Sequence, residues 1–154
     1  MTSKYAGSKE ELRALNAFIG LSRAQAAVSK AISSSLQSKK LSTCQFGVLE
    51  ALFHLGPLSQ KALSEKLLVT AGNMTCVIDN LERDGLVLRQ RDSEDRRRLK
   101  ISLTSTGRNT LKTVLPKHVA EIFESFSVLT AKEQELLFQL CKKLGKNQKE
   151  EKVK

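Results

Sequence analysis

Three cysteines (Cys44, Cys76, Cys141) and two histidines (His54, His118) are the side chains of this chain best suited to thiol chemistry, metal ligation or proton transfer near neutral pH. Their spacing builds no catalytic pair. Cys44 and His54 stand ten residues apart on one predicted helix, about 15 Å along its axis, too far for a nucleophile and its base. There is no CxxC pair, nucleophile elbow or glycine-rich phosphate loop. An odd number of unpaired-looking cysteines reads as reduced thiols, and two histidines are a thin supply of metal ligands. The expectation is therefore a protein that is not an enzyme, with no cofactor and no metal. A redox role stays open at two thiols. Cys44 falls in the first turn of a helix, where the dipole favours a thiolate. Cys76 falls on an outer helical face that oxidation would alter. Each also reads as a small packing thiol, the more economical of the two readings.

The chemistry on offer is electrostatic. The 154 residues carry 26 Lys+Arg against 16 Asp+Glu, a net charge of +10, which points to a polyanionic partner, either nucleic acid or an anionic membrane. Between Arg83 and Lys100 seven basic residues (Arg83, Arg89, Arg91, Arg96, Arg97, Arg98, Lys100) meet four acids (Asp84, Asp92, Glu94, Asp95). A charge run is usually a solvated face; this one follows two helices and falls at a predicted hairpin tip, a place from which Arg96 and Arg97 could enter a minor groove. Asp95 beside them suits a carboxylate that fixes an arginine rotamer. Just upstream, Thr70, Ala71, Gly72, Asn73, Thr75 and Cys76 form a small or polar helical face, able to come close to base edges in a major groove, with Asn73 suited to adenine. Ser59, Gln60 and Lys61 at the start of the preceding helix, and Arg91 and Arg98 at the ends of the loop, complete the expected DNA-binding set.

The elements that must position these residues are mostly helical. Leu12, Leu15, Ile19, Val28, Ile32 and Leu36 predict one long first helix. Ser42 and Gln45 have capping-box spacing and open a second helix over about 43–55, stopped by Gly56-Pro57. Ser59 starts a short third helix with Ala62, Leu63 and Leu67 inward. Thr70 caps a fourth, whose Met74, Val77, Ile78 and Leu81 make one buried stripe, ended by Asp84-Gly85. Two strands follow, Leu86–Arg91 and Arg98–Leu103, the second alternating with period two. A fifth helix begins at Thr104, with Leu111, Leu115, His118, Ile122 and Phe126 on one side and a kink expected at Pro116. There His118 reads as a polar notch in a helix interface. Thr130 and Glu133 open a sixth helix carrying Leu136, Leu137, Leu140 and Leu144. The expected organisation is one domain over 1–145, its DNA-binding core about 42–104 between helices of about 9–38 and 105–145, and a basic flexible tail over 146–154. With apolar stretches far short of the roughly 18 residues a membrane span needs, and no signal pattern over Met1–Glu11, no membrane partner and a cytoplasmic location are expected.

Helix, turn, helix and two-stranded hairpin, in that order, predict a mainly α fold with a small β-hairpin wing, a winged helix-turn-helix. Leu58 to Gly107, centred on "TAGNMTCVIDNLERDGLVLRQRDSEDRRRLKISLTSTG", resembles the MarR family of bacterial winged-helix regulators. The pieces "LERDGLVLR", "DSEDRR" and "LTSTG" fall in that family's order and spacing, and the flanking helices extend the resemblance over roughly residues 10–145. The resemblance implies a transcription regulator, most often a repressor, reading a pseudo-palindromic site on double-stranded DNA. It implies a recognition helix at Thr70–Glu82, a wing at Arg91–Arg98 and an Asp-x-Arg pair at Asp95 and Arg97. It also implies an obligate homodimer with interlocking first, fifth and sixth helices, which assigns Leu12, Leu15, Ile19, Ile122, Phe126, Leu136, Leu137 and Leu140 to dimer contact. A small aromatic or anionic effector would bind between the dimer helices and the winged unit, with Arg23, Gln25 and His118 as polar candidates. Three departures are legible: the first helix has no cysteine, Tyr5 is the only tyrosine, and Leu68 stands where many helix-turn-helix units place glycine. The alternative readings are a thiol-responsive regulator on the same scaffold and a winged-helix module for protein or RNA contacts.

Overall fold

Hydroxyl caps set most helix starts, and they do so within four residues of chain. In the computed structural model, which describes residues 5–91 and 99–150 (side chains to 146), Ser8 and Glu11 form a reciprocal capping box that opens α1 (Lys9–Ala31). Ser42 and Gln45 do the same for α3 (Thr43–Leu55). Ser59 caps α4 (Gln60–Leu67), Thr70 caps α5 (Ala71–Arg83) and Thr104 caps α6 (Ser105–Phe126). Thr130 and Glu133 open α7 (Ala131–Glu150). The helix α7 continues beyond Gly145 to Glu150. Pro116 lies inside α6 without ending it.

The long first helix expected from Leu12 to Leu36 is instead two. α1 ends at Ala31, and a single turn, α2 (Ser34–Gln37), follows. The cause lies in Ser33-Ser34-Ser35. Ser33 Oγ donates to the Lys30 carbonyl at 2.8 Å, a local bond that competes with the helical ladder. Ser34 and Ser35 then turn their hydroxyls to Glu121 on α6.

A second departure is an extra strand. β1 (Leu58–Ser59) pairs antiparallel with β3 (Leu99–Leu103), which pairs with β2 (Val87–Arg91), giving the order β1-β3-β2. The registers Leu58 to Ile101 and Val87 to Leu103 put the apolar sheet face against the helices. The wing strands are thus tied to the chain entering α4. The core comprises Phe46, Val48, Leu49 and Leu52 of α3, Leu63 of α4, Met74, Ile78 and Leu81 of α5, Ile101, and Leu111 and Val114 of α6. By contrast α1 has no buried residue, and Phe18, Phe123, Leu136, Leu137, Phe138 and Leu140 are exposed.

Candidate nucleic-acid interface

The second helix of the helix-turn-helix, α5, is held by one side and presented by the other. Met74, Ile78 and Leu81 are fully buried, with Val77 half-buried beside them. Ala71, Gly72, Asn73, Thr75 and Cys76 are exposed on the N-terminal turns. Thr70 Oγ1 accepts the Asn73 N–H at 3.3 Å, so one orphan donor of the first turn is satisfied internally. Thr75 has a fixed hydroxyl. It donates to the Ala71 carbonyl at 3.0 Å and accepts from Gln60 Nε2 at 2.7 Å. That pair of bonds couples α4 to α5 and engages the Thr75 hydroxyl as both donor and acceptor. Ser59 is spent as the α4 cap, accepting from Ala62 N–H at 3.2 Å. Lys61 is exposed, 3.8 Å from Glu65, a surface pair of little energetic weight.

Between α4 and α5, Leu68 takes a left-handed conformation, φ 55°, the geometry for which glycine is favoured. On the far side Gly85, φ 69°, turns the chain out of α5 into β2. Thr104 Oγ1 reaches the Gly85 carbonyl at 2.7 Å and accepts the Gly107 N–H at 2.9 Å. This lays the start of α6 on the turn before the wing.

Arg89 has a structural job that its place in a basic run conceals. Its guanidinium forms ion pairs with Asp79 and Glu82 of α5, and its backbone N–H donates to Glu82 at 3.0 Å. Hydrogen bonding to Asp79, then Glu82, outweighs burial and holds the guanidinium still more firmly protonated than usual. Arg89 therefore clamps β2 to α5, its guanidinium engaged by both acids. The acids at positions 79 and 82 were the available signal, three apart on the solvent side of α5. Arg91, at the end of β2, is exposed. Asp95, Arg96, Arg97 and Arg98 lie outside the described residues.

A cavity of about 500 Å³ opens between the winged unit and α6, lined among others by Cys44, Phe46 and Glu50 of α3, Leu67 of α4, and Leu115 and His118 of α6. His118 is 5% exposed. Its Nδ1 lies 3.2 Å from Ser35 Oγ, and its ring meets Phe46 edge-on at 4.6 Å between centroids. Glu121 receives the Ser34 and Ser35 hydroxyls and the Ser35 N–H, and these bonds, with Ser34 first, hold its carboxyl below the usual range. Gln25 lines a separate apolar groove of α1, α6 and α7 that also includes Leu137 and Cys141. Cys44 departs from the dipole expectation: burial pushes its thiol up, because desolvation disfavours the charged form. Cys76 is exposed on the α5 face and Cys141 on α7.

A model of the MarR family matches residues 41–99. HTH-type transcriptional regulator MhqR of Bacillus subtilis is 33% identical over 138 residues, spanning 90% of this chain and 95% of that protein. The chain belongs to the MarR family. Among solved MarR structures, AbsC from Streptomyces coelicolor is 20% identical and superposes with a TM-score of 0.82 over 96% of this chain and 99% of that one, a likeness of fold. BpsR of Bordetella bronchiseptica is 25% identical, with a TM-score of 0.76 over 81% of this chain and 89% of its own, and its DNA binding is regulated by 6-hydroxynicotinic acid. As a MarR regulator this chain is a DNA-binding winged helix-turn-helix protein, with α4–α5 as the helix-turn-helix and β2–β3 as the wing.

Proposed function

We propose that this MarR regulator works as a homodimeric repressor, reading a pseudo-palindromic operator with α5 in the major groove and wing arginines in the flanking minor grooves. The observation that carries the reading is α5 itself. A helix whose inner stripe is fully buried cannot roll, and its outer N-terminal face is free of bulky side chains that would keep it from base edges. In this reading Ser59, Gln60 and Lys61 support the docking of α5, Asn73 reads one base, and Asp95 and Arg96–Arg98 serve the minor groove. The bare apolar faces of α1 and α7 support a dimer, and Leu12, Leu15, Ile19, Ile122, Phe126, Leu136, Leu137 and Leu140 are its proposed contacts. A small effector entering beside His118 would bias the dimer between two half-site separations, as suits a relative regulated by 6-hydroxynicotinic acid. The raised Cys44 thiol weighs against a redox trigger there. No helix among the described residues is long and apolar enough to cross a membrane, and we take the protein to be a cytoplasmic regulator without catalytic activity.

The test is selection from a random duplex pool, then titration of the enriched and a scrambled duplex at several salt concentrations. An enriched inverted repeat, with half-sites about one helical turn apart and bound in preference at physiological salt, is the expected result. Equal binding of both duplexes that vanishes with salt would overturn it.

A further inference from the structure

The bonds at Thr75 fix more than the joint between α4 and α5. A threonine hydroxyl has one hydrogen, and at Thr75 it goes to the Ala71 carbonyl at 3.0 Å. The same oxygen accepts from Gln60 Nε2 at 2.7 Å. It therefore has no hydrogen left to give to a purine N7, a guanine O6 or a thymine O4. In a helix, threonine ordinarily divides between two rotamers, because each brings the hydroxyl to a carbonyl of the preceding turn. The donor from α4 removes that choice, since both bonds form only in the rotamer that brings Oγ1 to Ala71 and Gln60 together. With Oγ1 drawn back to the backbone and to α4, the direction of the methyl branch is set by the same rotamer. Thr75 itself remains exposed. A helical side chain lies over the turn before its own Cα, and that turn holds Ala71 and Gly72, where a Cβ at Gly72 would meet nothing within 4 Å. Neither residue has a side chain long enough to cover the methyl group.

We propose that Thr75 is a specificity-determining residue that reads a thymine by methyl-to-methyl contact in the major groove, with Gln60 as the positioning residue that fixes its rotamer. The inference rests on the operator reading above and names one base within it. The C5-methyl group marks thymine in the major groove, and contact with it needs no hydrogen from the protein. Asn73, exposed on the same N-terminal turns, supplies hydrogen bonds to its own base, and Thr75 adds an apolar readout beside it.

The experiment uses the full chain and the duplex enriched by selection, with each thymine replaced singly by uracil. That replacement keeps every hydrogen-bonding group of the base and removes only the C5-methyl. One thymine of each half-site should be sensitive, its replacement weakening binding about fourfold, the worth of one buried methyl group. Thr75→Ser keeps the hydroxyl, loses the methyl group and should bind the thymine and uracil duplexes alike. Thr75→Val keeps the methyl group and should retain the fourfold preference. Gln60→Ala should reduce the preference to about twofold, because the released threonine again divides between rotamers. In Thr75→Val the same Gln60→Ala change should leave the preference intact, since valine holds one helical rotamer without a partner. A purely structural bond between α4 and α5 would instead lower affinity for both duplexes and leave their ratio alone.

An enriched duplex in which no uracil replacement matters, or a thymine preference that survives in Thr75→Ser, would overturn the proposal. So would a preference lost in Thr75→Val, which would make the hydroxyl the reading group. A Gln60→Ala ratio equal to that of wild type would overturn the role given to Gln60. If selection enriches no duplex, the operator reading falls and this inference with it. An enriched inverted repeat without methyl dependence at Thr75 overturns only the present inference.

Discussion

At Gly107 there is no room for a methyl group. A Cβ there would sit 2.0 Å from the Leu86 carbonyl oxygen and 2.9 Å from its carbon, and the obstacle is backbone, so the turn before the wing would have to move. Gly107→Ala should lower unfolding free energy by about 3 kcal/mol in urea titration. This explains the glycine of the "LTSTG" piece, since Thr104 draws α6 onto that same turn. Leu68 is the opposite case. It holds a left-handed backbone, φ 55°, while its side chain is 77% exposed, so it has the strain and little of the packing. Leu68→Gly should stabilise the protein by about 0.5–1 kcal/mol, read as a higher melting temperature. A lower one would mean that the leucine side chain makes contacts that matter more than its backbone strain.

Among the elements, the wing and α5 are joined by Arg89, whose side chain is only 24% exposed. Arg89→Ala should leave the sheet paired through its backbone register but let the hairpin tilt away from α5. The expected outcome is weaker duplex binding by roughly 1–2 kcal/mol with a nearly unchanged salt slope, because the lost group pairs with protein rather than phosphate. A salt slope reduced by one phosphate contact would show that Arg89 leaves its acids for DNA. The joint between α2 and α6 depends on Glu121 in the ionised form. Its folded-state value lies below the unfolded one, so the contribution is complete above the ordinary glutamate value of about 4.3 and is lost as pH falls through the lower, folded value. Thermal melts of wild type should therefore decline in that acid window. In Glu121→Gln the decline should be shallower, with Glu133, held down by the Thr130 N–H and hydroxyl, supplying part of what remains.

For the whole molecule, the largest unsatisfied feature is apolar surface on α1, α6 and α7, where Phe18 and Phe123 are 66% and 77% exposed. Such a face is stable in water when another surface covers it, and a second copy brings identical faces related by a two-fold axis. Sedimentation should give twice the chain mass. Leu140→Glu should shift the protein to monomer and remove high-affinity binding to an inverted repeat, while single half-sites are still bound weakly. A variant that stays dimeric would exclude α7 from the interface.

Much of the fold was legible because its signals are local. Caps at Ser42, Ser59, Thr70, Thr104 and Thr130 act within one turn, and the Met74–Ile78–Leu81 stripe needs only helical periodicity. So α3 to α6 and the α5 face followed from residue order alone. What tertiary structure decided lies between residues far apart. The Ser35–His118 contact spans 83 positions and Gln60–Thr75 spans 15. No periodicity reports such a pair. For that reason the break at Ile32, the strand at Leu58–Ser59, the clamp on Arg89 and the burial of His118 against Ser35 and Phe46 emerged only on folding. A serine run, a dipeptide, a basic run and a lone histidine are each compatible with several fates, and the partner that folding brings selects one.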